Sequence, residues 1–585
     1  GFIKRRGIEG LQSPIIGREK EIKIFKGYLN DLFEQKGNTV ILLGEAGIGK
    51  SRIIEELFSY SLSNSLEQAK VVNWCSGKCS LHKEVAYQPL IEIAKQICGI
   101  DSEDSEEIVT EKLIRQVRSL EKEQIDGIYP YLANLLKIKL NARDVTKIKY
   151  LEPKELKLQT HVAIATFMRH YAHQYPCVYI VDDLYLADSA TLEALRFIID
   201  TNKKAPMLFI LVSRPEREKP FWKFIEELKE QDVQEISIER LNKDEIKQIS
   251  EHLLKIPKLP LPLLNDMITK SGGNPFFLEE IIKLLIAKGV LFKKGVEWLA
   301  NAEEIAFSIP YTIEAIIRHR FDTMDIPLRG TLEEMAIIGR DFSKKMLRTF
   351  SVQWEKLDEI ITEISNLGFI STNNDEDFSF DHALVQDVIY SSIPSKRKIA
   401  LHTKVAETIE VLYKDRLAEF YDVLFEHFVQ TDKHDKTIEY GLKAAGKAQK
   451  SYANHEAMLL YLGVLKELNV LSNMRTQRRK VIKELGEIHS LIGKNDDALD
   501  FFDEALKICE GKEEEADIYT SIARTYENVS DFDRAITAYN TASGKLGLSL
   551  DIERARINVG IAKIFYEKGE YEKVIKKLEE ALTVI

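Results

Sequence analysis

The chain has 585 residues, of which 44% are hydrophobic and 30% are charged, and its formal net charge is −11. This length exceeds what one hydrophobic core can organise, so we expect roughly three to five domains. The acidic balance argues against broad, non-specific binding to nucleic acid or to acidic membranes, although it leaves room for one local basic face.

The cysteines and the apolar runs favour a cytoplasmic protein. No apolar run reaches membrane-spanning length, and we expect no signal peptide. Only Cys75 and Cys79 lie close together, and no Cys/His set follows them, so we interpret the cysteines as reduced thiols rather than as a zinc site. Residues 1–13 are interpreted as a linker from a missing upstream domain, and the chain stops within a helical pattern over residues 581–585. We therefore expect a piece of a longer polypeptide.

The first motif in chain order is a glycine-rich loop between a strand and a helix. Residues 39–43 form an apolar run that predicts a buried parallel strand, and residues 52–62 have helical periodicity. The eight residues between Leu43 and Arg52 match the pattern G-x-x-x-x-G-K-[ST]: they are Gly44, Glu45, Ala46, Gly47, Ile48, Gly49, Lys50 and Ser51. The alternative, a chance glycine turn before a helix, does not account for strand, loop and helix in this order.

This loop predicts binding of ATP with Mg²⁺. Backbone N–H groups of the loop can wrap the phosphates, and the N-terminus of the following helix attracts them. Lys50 can reach the β- and γ-phosphates, and the Ser51 hydroxyl can ligate Mg²⁺. We also expect Arg52, the first residue after the motif, to lie at the nucleotide.

A second apolar run, over residues 177–183, ends in Asp182 and Asp183, the Walker B arrangement. We expect Asp182 to hold Mg²⁺ and Asp183 to orient or deprotonate the attacking water. Aspartate is shorter than the glutamate that is common at the second position, so we expect slow hydrolysis. The alternative for the pair is a solvated strand end.

A third apolar run, over residues 207–212, is followed by Arg214. Ligands of open α/β sheets bind at the carboxyl ends of the strands, so Arg214 is a candidate sensor of the γ-phosphate. The alternative is a surface salt bridge. Further strands are predicted near residues 70–75 and 233–238.

In this order the motifs resemble those of STAND-type AAA ATPases, signal-transduction NTPases with numerous domains. The resemblance is greatest to predicted-ATPase modules that accompany class III adenylyl cyclase domains or bacterial regulators. Residues 13–19, which include Ile16, Gly17 and Arg18, are similar to the segment that cradles adenine in that family. Residues 77–79 and 87–90 resemble a stretch that follows the second strand there. Residues 182–188 resemble the family's D-D-L-H-W-A-D, with Tyr185 and Leu186 in place of His-Trp.

Two later motifs extend the resemblance. Residues 273–277 read Gly-Asn-Pro-Phe-Phe, like the family's lid motif, which implies that Pro275 packs near the adenine. Residues 378–384 resemble the end of the family's winged-helix domain, which implies that His382 touches the β-phosphate of ADP and holds a closed state. A purely structural role for His382 is the alternative.

The expected fold is multidomain, α/β followed by all-α. Residues 14–215 are expected to form a three-layer α/β/α P-loop NTPase domain with a helical insertion at about 101–155. A helical lid follows over 216–290 and a winged-helix-like domain over 291–400. The basic stretch 395–398 is short and lacks interleaved aromatic residues, so we expect no nucleic acid binding by this segment.

Residues 401–585 are expected to form a TPR-like α-solenoid. Small and aromatic residues recur at fixed offsets, and Ala498, Ala535 and Val574 mark equivalent positions 37 and 39 residues apart. Stacked repeats of this kind form a concave groove, which favours a protein or peptide partner. A stabilising spacer is the alternative.

The leading functional hypothesis is a slowly hydrolysing ATPase switch that senses a partner through the repeats, self-associates with ATP and regulates a fused upstream effector. A class III adenylyl cyclase is a candidate effector. The other hypotheses are a steadily cycling ATPase, a transcription-regulator module acting through an absent DNA-binding domain, and a scaffold with structural nucleotide. The preference for ATP over GTP rests on the family resemblance.

Overall fold

The computed structural model describes residues 15–582 apart from 69–70, 80–85, 102–103, 120–124, 137, 139, 150, 152, 217–220, 232, 255–258, 295–296, 301–308, 352–353, 373–375, 451–453, 472–473 and 547–550. The predicted linker over residues 1–13 lies outside the described residues. The chain divides into two compact units, one of residues 1–423 with 430–432 and one of residues 424–429 with 433–585. Across the described ranges, no helix is both long and apolar enough to cross a bilayer.

The first unit begins with a five-stranded parallel sheet. Its strands are β1 (Asn38–Leu43), β2 (Asn73–Lys78), β3 (Cys177–Asp182), β4 (Met207–Ser213) and β5 (Gln234–Ser237). Their order across the sheet is β2-β3-β4-β1-β5. The central strands β3 and β4 are buried along almost their whole length, because helices cover both faces of the sheet. The predicted α/β P-loop core is therefore confirmed.

Nine helices of the described residues accompany this sheet. They are α1 (Glu19–Phe33), α2 (Lys50–Gln68), α3 (Gln88–Cys98), α4 (Glu106–Arg118), α5 (Ile125–Leu135), α6 (Ala142–Lys149), α7 (Pro153–Gln174), α8 (Ser189–Thr201) and α9 (Phe221–Lys229). A short 3₁₀ turn, Leu184–Leu186, follows β3. Helices α4 to α6 occupy the stretch in which the helical insertion is expected.

Helices follow where the lid is expected, and a small hairpin lies just beyond residue 290, where the winged-helix-like domain is expected to begin. They are α10 (Lys243–Leu254), α11 (Leu261–Ser271), α12 (Pro275–Ala287), β6 (Leu291–Lys294) and β7 (Glu297–Ala300). Apolar side chains of α10, α11 and α12 share one buried core with Val290, Leu291 and Ile309. This core is separate from the one beneath the parallel sheet.

The expected winged-helix-like region contains helices and a three-stranded antiparallel sheet. Its elements are α13 (Ile313–Asp322), α14 (Ile326–Ile338), β8 (Asp341–Ser343), α15 (Lys344–Phe350), α16 (Leu357–Asn366), β9 (Ile370–Thr372), β10 (Asp377–Phe380), α17 (Ala383–Ser392) and α18 (Ser395–Leu412). The strand order is β8-β10-β9. In the basic start of α18, Arg397 pairs with Glu333 and Lys398 lies 4.4 Å from the centre of the Tyr390 ring, so both cations contact the protein itself.

The remaining helices pack as consecutive pairs. They are α19 (Tyr421–Phe428), α20 (His434–Lys450), α21 (Asn454–Val470), α22 (Arg475–Leu491), α23 (Asn495–Lys507), α24 (Lys512–Asn528), α25 (Phe532–Lys545), α26 (Asp551–Glu567) and α27 (Tyr571–Leu582). From α20 onward each helix packs against its successor in a pair. These pairs form the C-terminal helical-repeat solenoid, like TPR, that the sequence predicts.

The repeat spacing is visible in contacts between successive pairs. Lys483 pairs with Asp517 at 2.6 Å, a separation of 34 residues, and the Thr525 hydroxyl donates to Ser490 Oγ at 3.0 Å, 35 residues away. Within the pair α22–α23, a Cβ added to Gly486 would come within 2.6 Å of Phe502. The small residue therefore lets the aromatic ring fill the space between the helices.

Candidate nucleotide-binding site

The predicted nucleotide-contacting residues follow neighbouring strands of the parallel sheet. The register aligns Leu43 with Ser213 and Val181 with Leu211, so the carboxyl ends of β1, β3 and β4 lie at one edge. This edge is where ligands bind in open α/β sheets. The loop after β1, Asp182 at the end of β3 and Arg214 after β4 are thus brought together.

The electrostatics of Lys50 report the same convergence. Burial lowers the pKa of Lys50 to about 8, while Asp182 and Asp183 act to raise it and Arg214 acts to lower it further. The charges of these three side chains therefore act on one ammonium group. Such a group can pair with phosphate oxygens, which would restore the charge that burial disfavours.

The glycine loop curls around the Lys50 side chain. Lys50 begins α2, and its Nζ donates to the carbonyl oxygens of Gly44 at 2.6 Å and Glu45 at 2.9 Å. Gly47 and Gly49 have φ angles of +75° and +107°, which let the loop turn its N–H groups inward. The ammonium thus lies over the loop whose N–H groups would bind phosphate.

The donors for a magnesium ion are hard oxygens, as Mg²⁺ requires. Ser51 lies in the first turn of α2, next to the loop, and Asp182 closes the neighbouring edge of the sheet. Asp182 Oδ1 accepts a hydrogen bond of 2.8 Å from the Asp183 N–H, which fixes that carboxylate. The residue types fit the ion, and Ser51 and Asp182 are the side chains that would hold it.

Asp183 has an unusual backbone and two cationic neighbours. Its φ is +51°, in the left-handed region that Asp tolerates better than most residues. Its Oδ2 lies 3.4 Å from Lys78 Nζ and 3.3 Å from Arg340 Nη1. Lys78 ends β2, and its register partner in β3 is Asp182.

Arg214 lies on an aromatic ring. Its guanidinium carbon is 4.9 Å from the centre of the Tyr185 ring, within the range of a cation–π contact. Burial raises the pKa of Tyr185 to about 12, so this phenol is neutral at physiological pH. Tyr185 thus contacts the arginine that the sequence predicts as the γ-phosphate sensor.

The Gly-Asn-Pro-Phe-Phe segment of α12 contacts the glycine loop directly. The Asn274 amide donates to the Ala46 carbonyl at 3.0 Å, and the Phe276 N–H donates to the Gly47 carbonyl at 3.3 Å. Asn274 Oδ1 also caps α12, where Pro275 is the first residue. A Cβ on Gly47 would lie only 2.6 Å from that of Phe276, so glycine is required for this approach.

The segment around Arg18 braces the loop from the other side. Arg18 is buried, and its Nη2 donates to the carbonyls of Glu239 at 2.7 Å and Ile48 at 3.4 Å. The preceding residues Ile16 and Gly17 are partly buried, and Gly17 has a φ of +71°. Arg18 thus contacts the backbone of the loop and of the segment after β5.

The structure also shows what surrounds three other residues that were predicted to lie at the nucleotide. The Ile48 side chain is buried in the core beneath the sheet. Glu45 pairs with Arg240 at 2.8 Å at the surface. Arg52 pairs with Glu55 one turn along α2, at 3.3 Å.

His382 reaches the site through Phe276. Its Nδ1 accepts the Leu384 N–H at 3.2 Å and so caps α17. Its ring stacks on Phe276 with the centroids 4.0 Å apart and an angle of 18° between the planes. Phe276 also packs against the core of the winged-helix-like region. Phe276 therefore contacts both: its ring stacks on His382, and its backbone N–H donates to the Gly47 carbonyl of the glycine loop.

The sequence of residues 14–210 matches the family described as AAA ATPase domain. This segment is an AAA ATPase domain. The chain is also 21% identical over 407 residues to an uncharacterised protein of Rhizobium meliloti (strain 1021), which covers 67% of this chain and 36% of that protein. The chain thus matches little more than a third of that relative's length.

Two solved structures match this chain over 65% or more of its length, both with TM-scores of 0.40 or lower. One is a Signal Transduction ATPase with Numerous Domains (STAND) protein with a tetratricopeptide repeat sensor from Pyrococcus horikoshii, at 11% identity and a TM-score of 0.40 over 99% of this chain and 78% of that one. The other is the Aeropyrum pernix ORC1 protein in complex with DNA, at 14% identity and a TM-score of 0.35 over 65% of this chain and 94% of that one.

One neighbour of the Walker B acids, Arg340, was not among the predicted site residues. Arg340 lies 157 residues from Asp183, in a region expected to form another domain. Its only local signal is the preceding Gly339, which ends α14. Lys78 and Asn274 lie within two of the motifs that resemble the family, residues 77–79 and 273–277, but these motifs do not indicate what the two side chains contact.

Proposed function

We propose that this protein is an ATP-binding, slowly hydrolysing STAND-type signalling switch. The observation that carries the proposal is the contact of the lid segment with the glycine loop. Asn274 and Phe276 bond the carbonyls of Ala46 and Gly47 at the edge where Lys50 and the Walker B acids converge. A nucleotide bound to this loop would therefore act on the lid directly.

The proposed roles follow from the side chains at this edge. Lys50 exchanges the Gly44 and Glu45 carbonyls for phosphate oxygens, and the loop N–H groups bind the remaining oxygens. Bound Mg²⁺, held by Ser51 and Asp182, would supply neutralisation of the phosphate charge.

The hydrolytic step is assigned to two further side chains. Asp183 accepts a hydrogen bond from the attacking water, and Arg214 pairs with the γ-phosphate. Slow turnover is expected because the short aspartate holds water less closely than a glutamate would. From the family resemblance we assign four residues to the adenine side of the nucleotide: Ile16, Gly17, Arg18 and Pro275. We assign Arg52 to the outer phosphate side.

The switch is proposed to run through His382. In the ADP-bound closed state, His382 holds Phe276 by stacking and contacts the β-phosphate, whereas ATP favours an open state that self-associates. A nucleotide can shift this equilibrium only by its different affinity for the two states. The His382–Phe276 stack gives the closed state a contact that the open state would lack.

The repeats are proposed to bind a protein or peptide, and the switch to regulate an effector on the same polypeptide. The TPR-like repeats support this proposal, because stacked helix pairs of that kind generally form a concave binding surface. On the sequence resemblance, a class III adenylyl cyclase is our candidate for this effector.

The test compares molar mass in ADP and in a non-hydrolysable ATP analogue, using the wild type and Asp183→Asn. Light scattering should show larger assemblies with the analogue, and with ATP in the variant, which retains ATP. Rapid turnover without assembly would indicate a steadily cycling ATPase instead. Tightly bound ADP that never exchanges would indicate a scaffold with structural nucleotide.

A further inference from the structure

One carboxylate oxygen of the Walker B pair is shared by two cations from different parts of the first unit. Asp183 Oδ2 accepts a hydrogen bond from Arg340 Nη1 at 3.3 Å and forms an ion pair with Lys78 Nζ at 3.4 Å. The Asp183 side chain is 17% exposed, and the two cations are 25% and 28% exposed. The contacts are therefore partly shielded from water, which strengthens them relative to surface pairs.

Arg340 belongs to the winged-helix-like region by its backbone. It lies between α14 and β8, and its carbonyl accepts the Phe380 N–H at 3.0 Å. Phe380 is fully buried in the core of that region and precedes His382 by two residues. The guanidinium of Arg340 extends from this region to Asp183 in the AAA ATPase domain.

The winged-helix-like region thus touches both sides of the site. His382 reaches the glycine loop through Phe276, and Arg340 reaches the Walker B strand through Asp183. Because the Arg340 carbonyl is tied to Phe380, a displacement that separates His382 from Phe276 also draws Arg340 from Asp183.

We propose that Arg340 is a positioning residue that restrains Asp183 in the closed state. This inference rests on the proposed role of Asp183 as the acceptor of the attacking water. Arg340 takes one lone-pair direction of Oδ2, and the Lys78 ammonium lies 3.4 Å from the same oxygen, so both cations hold the carboxylate in this orientation. Hydrolysis then requires the winged-helix-like region to move Arg340 away from Asp183. The hydrolysis rate therefore reflects the fraction of molecules in the open state.

The experiment measures kcat and KM for ATP in the wild type, Arg340→Gln, Arg340→Lys and Arg348→Gln. Removing a partly exposed pair should raise kcat of Arg340→Gln by about two- to fivefold, with KM little changed. Arg340→Lys keeps the cation and should remain near the wild type. Arg348 pairs with the exposed Asp358 in the same region, so Arg348→Gln is the matched control and should change nothing.

Two further variants show whether the effect passes through Asp183. The double variant Arg340→Gln/Asp183→Asn should hydrolyse no faster than Asp183→Asn alone. If Arg340→Gln does not fold, as judged by its melting temperature, Lys78→Gln removes the other cation and should raise kcat in the same direction.

The outcomes separate this inference from the proposed function. A fall in kcat of Arg340→Gln would make Arg340 an aid to catalysis, and an unchanged kcat would make the contact incidental; either overturns the inference while Lys50-dependent hydrolysis still stands. Hydrolysis that survives Lys50→Ala and Asp183→Asn would overturn the proposed function itself.

Discussion

The imidazole of His382 and the ring of Phe276 stack at a centroid distance of 4.0 Å, although 106 residues separate them in sequence. The same Phe276 donates its N–H to the Gly47 carbonyl in the glycine loop. A single residue of α12 therefore connects the winged-helix-like region to the phosphate-binding loop. This connection is the contact on which the proposed nucleotide-responsive switch depends.

Loss of the stack should speed the release of ADP. An aromatic pair contributes about 0.5–1.5 kcal/mol, so His382→Ala should raise the ADP dissociation rate by about two- to tenfold. Stopped-flow displacement of a fluorescent ADP measures this rate. His382→Phe keeps the stack without ring nitrogens, and a rate between those of the wild type and His382→Ala would show that a phosphate contact adds to stacking. Equal rates in all three proteins would refute the proposed role of His382.

Variants of Asn274 should distinguish its capping of α12 from its contact with the glycine loop. Asn274→Asp retains an oxygen that caps α12 but loses the donor to the Ala46 carbonyl and adds negative charge beside the loop. We expect its nucleotide affinity to fall about tenfold with little change in melting temperature. Asn274→Ala loses the cap as well and should be less stable by about 1 kcal/mol. Calorimetric titration and thermal melting measure the two effects, and equal affinity of wild type and Asn274→Asp would contradict the expectation.

A buried ionic cluster joins α12 to the winged-helix-like region. Lys283 donates to Glu280 at 2.9 Å and to the Gly368 carbonyl at 3.1 Å, and Arg320 also pairs with Glu280. Burial acts to raise the pKa of Glu280, but Lys283 and Arg320 outweigh it, so the pKa lies below its usual value.

Removing the central acid should take the nearest carboxylate from two buried cations, Lys283 and Arg320, and leave Lys283 only the more distant Asp381 at 4.0 Å. Glu280→Ala should therefore lower the stability of the first unit by about 3–5 kcal/mol. The control is Arg318→Ala, which breaks an exposed pair with Asp322 and should change stability by less than about 1 kcal/mol. Urea unfolding followed by fluorescence distinguishes the two, and similar small losses for both variants would contradict the structure.

His161 should make stability depend on pH between about 6.5 and 4. Burial first, and then Lys157, lower the pKa of His161 from 6.5 to about 4, and its Nε2 lies 3.3 Å from the Tyr87 hydroxyl. Above pH 6.5 the imidazole is neutral in the folded and the unfolded chain, so it contributes no pH dependence. As the pH falls from 6.5 towards 4 the unfolded chain takes up the proton first, and the fold should lose up to about 3 kcal/mol.

The variant His161→Gln keeps a polar partner for Tyr87 but does not titrate. Urea unfolding at a series of pH values should therefore show a smaller loss of stability below pH 6.5 in the variant than in the wild type. Parallel pH curves for the two proteins would show that His161 is not responsible.

The sequence predicted the sheet edge well because its motifs are local. Lys50, Asp182 and Arg214 each follow an apolar run that forms a parallel strand, and parallel strands present their carboxyl ends together. The repeat spacing was also readable, since each repeat contacts only its neighbours. The individual site roles stay predictions.

The contacts between regions could not be predicted in this way. Arg340 meets Asp183 across 157 residues, and Asn274 meets Ala46 across 228 residues, without any periodic signal that links them. These contacts depend on how regions with separate hydrophobic cores pack against one another, and no short sequence motif specifies that packing.

Titration calorimetry of the wild type and Lys50→Ala with Mg²⁺-ATP shows whether the glycine loop binds ATP with Mg²⁺. We expect one binding site in the wild type and at least tenfold weaker binding in the variant, because alanine cannot pair with the phosphates. Equal affinities, or no binding by a folded wild type, would contradict it.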